Sequence, residues 1–250
     1  MPERPLENRV AIVTGAGQGI GEIIARRLAA EGAVLAIADL HEEKAINASR
    51  RIAEDAIAVG GNLADEAVAR SLVEKTMSAF GRIDILVNNA GGGIIRPFLD
   101  HTADTLRETL DRNLWSTIWM CRAVLPHMKA AGYGRIINIG ADSVRNGLFH
   151  HAAYNAAKGG VHGMTTGLAR EFVHDGITVN TVAPCAVRTP QFEDVAAANP
   201  DLVEQFLSVI PMGRPGEPAE VASMTAYLAR EEAAFVTGQV ISVNGGSTML

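Results

Sequence analysis

The sequence is short of several things, and each shortage excludes a class of protein. It has only two cysteines, Cys121 and Cys185, far apart and outside any CxxC or Cys/His cluster. That excludes a disulfide framework and a structural metal site, and is expected of a chain in a reducing compartment. No apolar run approaches the roughly 18 residues of a membrane span, and the polar start MPERPLENR has no secretory-leader character. Basic residues are in deficit. The 22 Lys and Arg against 28 Asp and Glu leave a net charge of −6, which argues against a nucleic acid or an anionic membrane as partner. Linkers, repeats and low-complexity tracts are missing too, so nothing divides the 250 residues into smaller units. A chain of this length buries roughly three-quarters of its unfolded surface. The expectation is a single cytoplasmic domain over 1–250, with no metal.

What the sequence does have is an alternation. Short apolar runs at 10–13, 34–38, 56–59, 83–87, 136–139, 177–182 and 240–243 are separated by helix-like stretches near 19–31, 42–53, 65–80, 103–131, 152–174 and 217–230. Runs that are apolar throughout are those of parallel strands covered on both faces. Such an alternation predicts an α/β fold, a doubly wound parallel sheet of Rossmann-like form. Its ligand site falls at the carboxyl ends of the strands, near the point where strand order reverses. The segment 189–216 breaks the rhythm: Thr189-Pro190 opens it, an amphipathic piece at 201–209 follows, and a proline- and glycine-rich stretch at 211–216 closes it. Such an excursion reads as a substrate lid or as a surface insertion over the sheet edge. Its place directly after a loop motif favours the lid.

Two motifs carry chemistry. In Tyr154-Asn155-Ala156-Ala157-Lys158 the phenol and the ammonium are four residues apart on a predicted helix, hence on one face. A free phenol ionises near pH ~10, and a cation fixed beside it favours the phenolate and draws it toward the range of a working base. About 140 residues earlier, Thr14-Gly15-Ala16-Gly17-Gln18-Gly19-Ile20-Gly21 follows the first apolar run and opens the first helix. Glycines there let the backbone turn and approach a phosphate, which meets the unpaired N–H groups at the helix start. Asp39 ends the second run, 18 residues beyond Gly21. A carboxylate so placed accepts ribose hydroxyls and repels a 2′-phosphate, unless it merely caps the next helix.

With Asn88-Asn89-Ala90-Gly91, Asn113 and Pro184-Cys185-Ala186-Val187-Arg188-Thr189, these motifs stand in the order and approximate spacing of the short-chain dehydrogenase/reductase family, which the chain resembles from about Asn8 to Leu250. The resemblance implies an oxidoreductase that uses a nicotinamide cofactor. It assigns the cofactor to Gly15, Gln18, Gly19, Ile20, Gly21, Asp39, Asn62, Leu63, Asn88, Ala90, Tyr154, Lys158, Pro184, Val187 and Thr189. Asp39, together with Gln18 where NADP-preferring relatives often carry a basic residue, makes NAD the expected cofactor. Proton transfer falls to Tyr154. Lys158 would bind the nicotinamide ribose and lower the tyrosine's pKa, and Asn113 would hold a water against Lys158. The serine partner is irregular. Ala141 stands three residues after Asn138, where the hydroxyl is usual, and Ser143 lies 11 residues before Tyr154, a shorter spacing than most relatives have. The role is assigned to Ser143, with Asp142 or a water as the alternative. Cys185 replaces a usual glycine, and its thiol is read as incidental.

A narrower resemblance rests on Gly91-Gly92-Gly93-Ile94-Ile95-Arg96-Pro97-Phe98, the stretch from Trp115 to Trp119, and Ala156-Ala157-Lys158-Gly159-Gly160-Val161. It is to dehydrogenases of carboxylated aromatic cis-dihydrodiols, enzymes of aromatic catabolism. It implies a small-molecule substrate; Arg96, Arg145, His150, His151 and Arg188 lie on segments expected to rim its pocket, and a substrate carboxylate would pair with one of Arg96, Arg145 or Arg188, although for any single one a solvated loop charge is the favoured reading. The rival readings are a 3-oxoacyl thioester reductase, a generic secondary-alcohol dehydrogenase, and an NAD(H)-binding protein without catalysis. His150-His151 lacks a third ligand and is no metal pair. Small residues on the helix at 152–174, among them Ala152, Ala153, Ala156, Ala157, Gly160, Gly163 and Gly167, allow close packing against a second subunit or the chain's own sheet. The family resemblance implies a homo-oligomer, dimer or tetramer.

Overall fold

Each apolar run becomes a parallel strand in the structure, a computed structural model that describes residues 4–249. The strands are β1 (Val10–Thr14), β2 (Val34–Asp39), β3 (Ile57–Gly60), β4 (Ile85–Asn88), β5 (Gly134–Ile139), β6 (Ile177–Pro184) and β7 (Val240–Val243). They form one sheet in the order β3-β2-β1-β4-β5-β6-β7. The helices are α1 (Gly19–Ala30), α2 (Glu42–Ile52), α3 (Glu66–Phe80), α4 (Ala103–Leu110), α5 (Ser116–Ala131), α6 (Ser143–Asn146), α7 (Ala152–Phe172), α8 (Pro190–Ala198), α9 (Pro200–Ser208) and α10 (Pro218–Ala229).

Alternate strand residues feed two cores. Ala11, Val13, Leu35, Ile37, Ile85 and Val87 meet Ile24 and Leu28 of α1 and Val221 and Leu228 of α10. On the other face, Ile12, Ala36, Leu86, Ile136 and Val179 meet Leu72 and Val73 of α3 and Met120, Val124 and Met128 of α5. With both faces covered, the strands show no regular polar alternation, which is why the runs read as mostly apolar. Strand order reverses at β1, which lies between β2 and β4. The loops leaving β1 and β4 therefore part from each other, and a crevice opens between them at the carboxyl ends.

Two stretches differ from expectation. The helix predicted over 103–131 is interrupted by a π-helical turn, Asp111–Trp115, between α4 and α5. A π turn carries one residue more than its α-helical equivalent, so the side chains beyond it are rotated. The segment 189–216 holds two helices where the sequence indicated one amphipathic piece. Thr189 and Asn199 cap them, each side-chain oxygen accepting the N–H of the residue three further on (3.1 Å in both), with proline in the first helical position. That pairing of cap and proline is a helix-start signal. No helix among the described residues is long and apolar enough to cross a membrane.

Candidate active site

A cavity of about 680 Å³ is lined by residues that follow each of the first six strands. Its two halves are pinned together at Thr14. The Thr14 hydroxyl accepts the N–H groups of Asn89 (3.0 Å) and Ala90 (2.9 Å), while the Asn89 amide donates to the carbonyls of Thr14 and Gly15 (3.0 Å each). Gly15 and Gly19 both sit at φ 61°, in the left-handed region where a side chain is strained. A Cβ on Gly21 would collide with the Gly15 carbonyl, so α1 can approach the turn only without one. Gln18, Gly19 and Ile20 present the start of α1 to the cavity, and Gly21 lies behind them. The conformation is that of a phosphate cradle.

Asp39 is buried on the cavity wall. Its carboxylate accepts the N–H groups of Gly17 (3.0 Å) and His41 (3.1 Å), which fixes its orientation. Lys44 stands nearby and donates to Gln18 (3.0 Å). Asn62, Leu63 and Ala90 complete this end. Across the cavity, Pro184, Val187 and Thr189 line the loop after β6. A bridge to Gly216 uses the Arg188 N–H and the Ala186 carbonyl, leaving Val187's own N–H and C=O on the opposite side. Cys185 sits between them, its thiol pushed up to about 11 by burial and therefore protonated at neutral pH.

Tyr154, Lys158 and Ser143 share the wall beneath this loop. Tyr154 and Lys158 come from one face of α7, with the ammonium 5.8 Å from the centre of the phenol ring. Lys158 donates to the Ile139 carbonyl at the end of β5 (2.7 Å). Ser143 begins the short helix α6, and its Oγ donates to Asn155 Oδ1 (2.6 Å) while the Asn155 amide returns a bond to the Ser143 carbonyl (2.8 Å). The hydroxyl's one proton goes to Asn155, and Ser143 lines the cavity. Asp142 is turned away. It is fully buried and accepts Ser242 (3.1 Å), Ser247 (2.8 Å) and Thr248 (2.9 Å).

The expected lowering of the tyrosine's pKa is absent from the bare site. Burial alone pushes Tyr154 up to about 12, and burial pulls Lys158 down to about 8. The ammonium is itself desolvated and bound to a neutral carbonyl, so it lends the phenol little field. A testable consequence concerns stability. A lysine that ionises near 10.5 when unfolded and near 8 when folded costs on the order of 3 kcal/mol below pH 8, and the cost fades between 8 and 10.5 as the unfolded chain loses the proton as well. Lys158→Met should therefore be more stable than wild type in urea below pH 8, with the gap closing toward pH 10.5. A gap that does not change with pH would mean that the ammonium is not desolvated.

Other expected site residues lie outside the cavity. Asn113 is fully buried in the π turn, where its amide donates to Gly92 O (3.0 Å) and Thr109 O (2.8 Å) and its oxygen accepts Gly92 N–H (3.1 Å). Both amide protons are used, so the side chain braces the glycine loop and has no donor left for a water. Asn88 is likewise buried, donating to Asn138 (2.9 Å) and Cys121 (3.3 Å) beneath the sheet ends. None of the three arginines lines the cavity. Arg145 binds Ser242 (2.8 Å) and the Val240 carbonyl (2.8 Å), and Arg188 pairs with Glu193 (2.9 Å) and Glu217 (3.0 Å). Arg96 stays off the wall without a partner among the described residues. The arginine that does reach the wall is Arg112, held by Glu108. Of the two histidines expected at the pocket rim, His151 lines the wall and His150 does not, while Asn155 and Arg112 carried no signal in the sequence beyond standing next to motif residues.

A family profile described as enoyl-(acyl carrier protein) reductase matches residues 15–248. The chain is 60% identical, over 98% of its length and 96% of the relative's, to 2,3-dihydroxy-2,3-dihydro-p-cumate dehydrogenase of Pseudomonas putida. It is 36% identical, over 96% of both chains, to 1,6-dihydroxycyclohexa-2,4-diene-1-carboxylate dehydrogenase of Acinetobacter baylyi. Among solved structures, levodione reductase superposes with a TM-score of 0.91 at 31% identity, covering 96% of this chain and 98% of that one. Likeness of this extent, in sequence and in fold, places the chain in the short-chain dehydrogenase/reductase family, and makes it an oxidoreductase.

Proposed function

We propose that the enzyme oxidises a ring-borne cis-dihydrodiol with NAD. The observation that carries the reading is the end-to-end likeness to the p-cumate dihydrodiol dehydrogenase. The cavity supports it, because Tyr154 and Ser143 share a wall with the apolar side chains Ile95, Leu148, Val195 and Phe206, suited to a flat carbocycle. The glycine cradle, Asp39 and the loop at Pro184, Val187 and Thr189 fit a dinucleotide, and Lys158 is placed for its ribose. When bound, the oxidised cofactor supplies a hydride acceptor whose ring is positively charged. Positive charge added to this desolvated site favours the Tyr154 phenolate. Tyr154 then takes the proton of the reacting hydroxyl, Ser143 turns its own Oγ–H from Asn155 to donate to that oxygen, and Asn113 positions Gly92 beside them. α8 and α9 form the cover, with Phe192, Val195, Phe206 and Val209 on its inner side.

Both relatives' names describe a ring acid, and we carry the acid over with the diol. Arg145 and Arg188 are bound elsewhere and Arg96 is off the wall, so the acid contributes less than a full arginine contact. Removing it should raise the KM less than tenfold. The test is a panel of acid and non-acid cis-dihydrodiols against 3-hydroxyacyl thioesters, followed by NADH formation. Preference for the thioesters would overturn the reading.

For the cofactor, a 2′-phosphate at ~5 Å from Asp39 meets a repulsion on the order of 3 kcal/mol at an effective dielectric of 20. We therefore expect NAD to be favoured over NADP at least tenfold, and Asp39→Ala to narrow the gap. Equal efficiency in the wild type would remove Asp39 from this role. We propose further that the enzyme is a homo-oligomer: Ala152, Ala156, Gly163 and Gly167 face outward from α7, while Ala153 and Ala157 are buried. A monomer mass by light scattering would refute this.

A further inference from the structure

His151 lies on the cavity wall beside Tyr154, yet the proton transfers above make no use of it. Its placement is specific. Nδ1 lies 2.7 Å from the Phe149 carbonyl, which can only accept, so Nδ1 carries the ring proton and Nε2 is a bare lone pair. Nε2 has no hydrogen-bond partner among the described residues. Burial lowers the ring's pKa and keeps it neutral. The imidazole is held edge-on between two aromatic rings, 5.9 Å from Tyr154 at 75° and 5.5 Å from Phe206 of α9 at 80°. The residue before it, His150, sits at φ 63°, a conformation that costs energy for anything but glycine. Backbone strain, a committed tautomer and a two-sided aromatic clamp all serve to hold one acceptor beside the phenol.

A vicinal cis-diol brings two hydroxyls into the cavity, and only one of them gives its proton to Tyr154. The other carries a proton that needs an acceptor, since Leu148 and Phe206 offer none and an unpaired buried hydroxyl is costly. We propose that His151 Nε2 accepts the hydrogen bond of the second, non-reacting hydroxyl, making His151 the residue that selects diols over simple alcohols. The inference rests on the dihydrodiol reading. The same lone pair repels a carboxylate, so the ring enters with its acid directed away from His151. A site built around a hydroxyl discriminates strongly against an analogue that lacks it.

The experiment compares cis-1,2-dihydroxycyclohexa-3,5-diene with 2-cyclohexen-1-ol, using NAD, in wild type and in His151→Phe, His151→Asn and His151→Gln. Phe keeps the packing without the acceptor. Asn keeps a donor for the Phe149 carbonyl but is too short to replace Nε2, and it serves if the Phe variant fails to bind NADH. Gln restores an oxygen near the position of Nε2. The ratio of kcat/KM for the diol to that for the mono-ol should fall at least tenfold in Phe and Asn, mainly through the diol KM, and recover in large part in Gln. Equal losses on both probes would mean a structural role and overturn the inference. A wild type that oxidises the diol, with variants that keep its preference, overturns the inference alone. A wild type that oxidises only the mono-ol overturns the dihydrodiol reading and the inference with it.

Discussion

Tyr154→Phe should cut turnover by at least ~10²-fold while NADH still binds. The substitution keeps the ring, which a Cβ on Gly93 would approach to 3.7 Å, and the phenol oxygen has no hydrogen-bond partner among the described residues to lose. The effect is therefore confined to the proton. Alcohol oxidation needs the phenolate, and burial places the phenol's ionisation on the alkaline side of neutrality. The wild-type oxidation rate should rise with pH in consequence, and the rising limb should be missing in the variant. If the variant turns over normally, or keeps the limb, another group moves the proton.

Asp142→Ala should be the most damaging substitution outside the proton relay. The buried carboxylate gathers Ser242 from β7 and Ser247 and Thr248 from the segment after it, and Asn146 of α6 also reaches Ser247 (2.8 Å). Hydrogen bonds to a charged group are worth roughly 1.5–3 kcal/mol each and do not add fully, so we expect a loss of about 3–5 kcal/mol. In a chain of this size that lowers the Tm by roughly 10 °C. Ser143 is the next residue, and Ser247 also lines the cavity, so turnover should fall more than tenfold even well below the Tm. Asp142→Asn should recover part of both. An unchanged Tm would show that the hydroxyls find other partners without cost.

The seven strands were legible because the sheet faces are covered and the runs are mostly apolar; the polar residues inside them, Asn138, Asn180 and Thr181 among them, are buried and hydrogen-bonded and so leave no polar alternation. The glycine turn after β1 was legible for a different reason: at Gly15, Gly19 and Gly21 the backbone conformation or the close approach itself demands glycine, so residue type reports geometry directly. Asn113 was legible as a motif residue, but its partner was not, because a π turn leaves the apolar periodicity of 103–131 unmarked. The caps Thr189-Pro190 and Asn199-Pro200 could have revealed both α8 and α9. The substrate arginines failed on physical grounds. A guanidinium takes the nearest carboxylate or carbonyl: Arg145, on α6, finds its partners on β7, distant in sequence, and Arg188 finds Glu193 five residues on and Glu217. Asn155 became visible only when the fold set it beside Ser143, and the fold singled out His151 from the two histidines expected at the pocket rim.

The π turn has a consequence for how this site can change. Deleting one residue between Asp111 and Trp115 would restore α-helical winding and close the widened turn, with α4 and α5 still facing as they do, because the turn holds one residue more than its α-helical equivalent. Asn113 would leave Gly92, and the glycine loop beside Tyr154 would lose its brace, although every chemical group of the site was still present. Point substitutions cannot reproduce or repair such a change of residue number. The floor of the site is set by how many residues the helix contains, and lineages that differ there by a single codon would differ in catalysis with identical motifs.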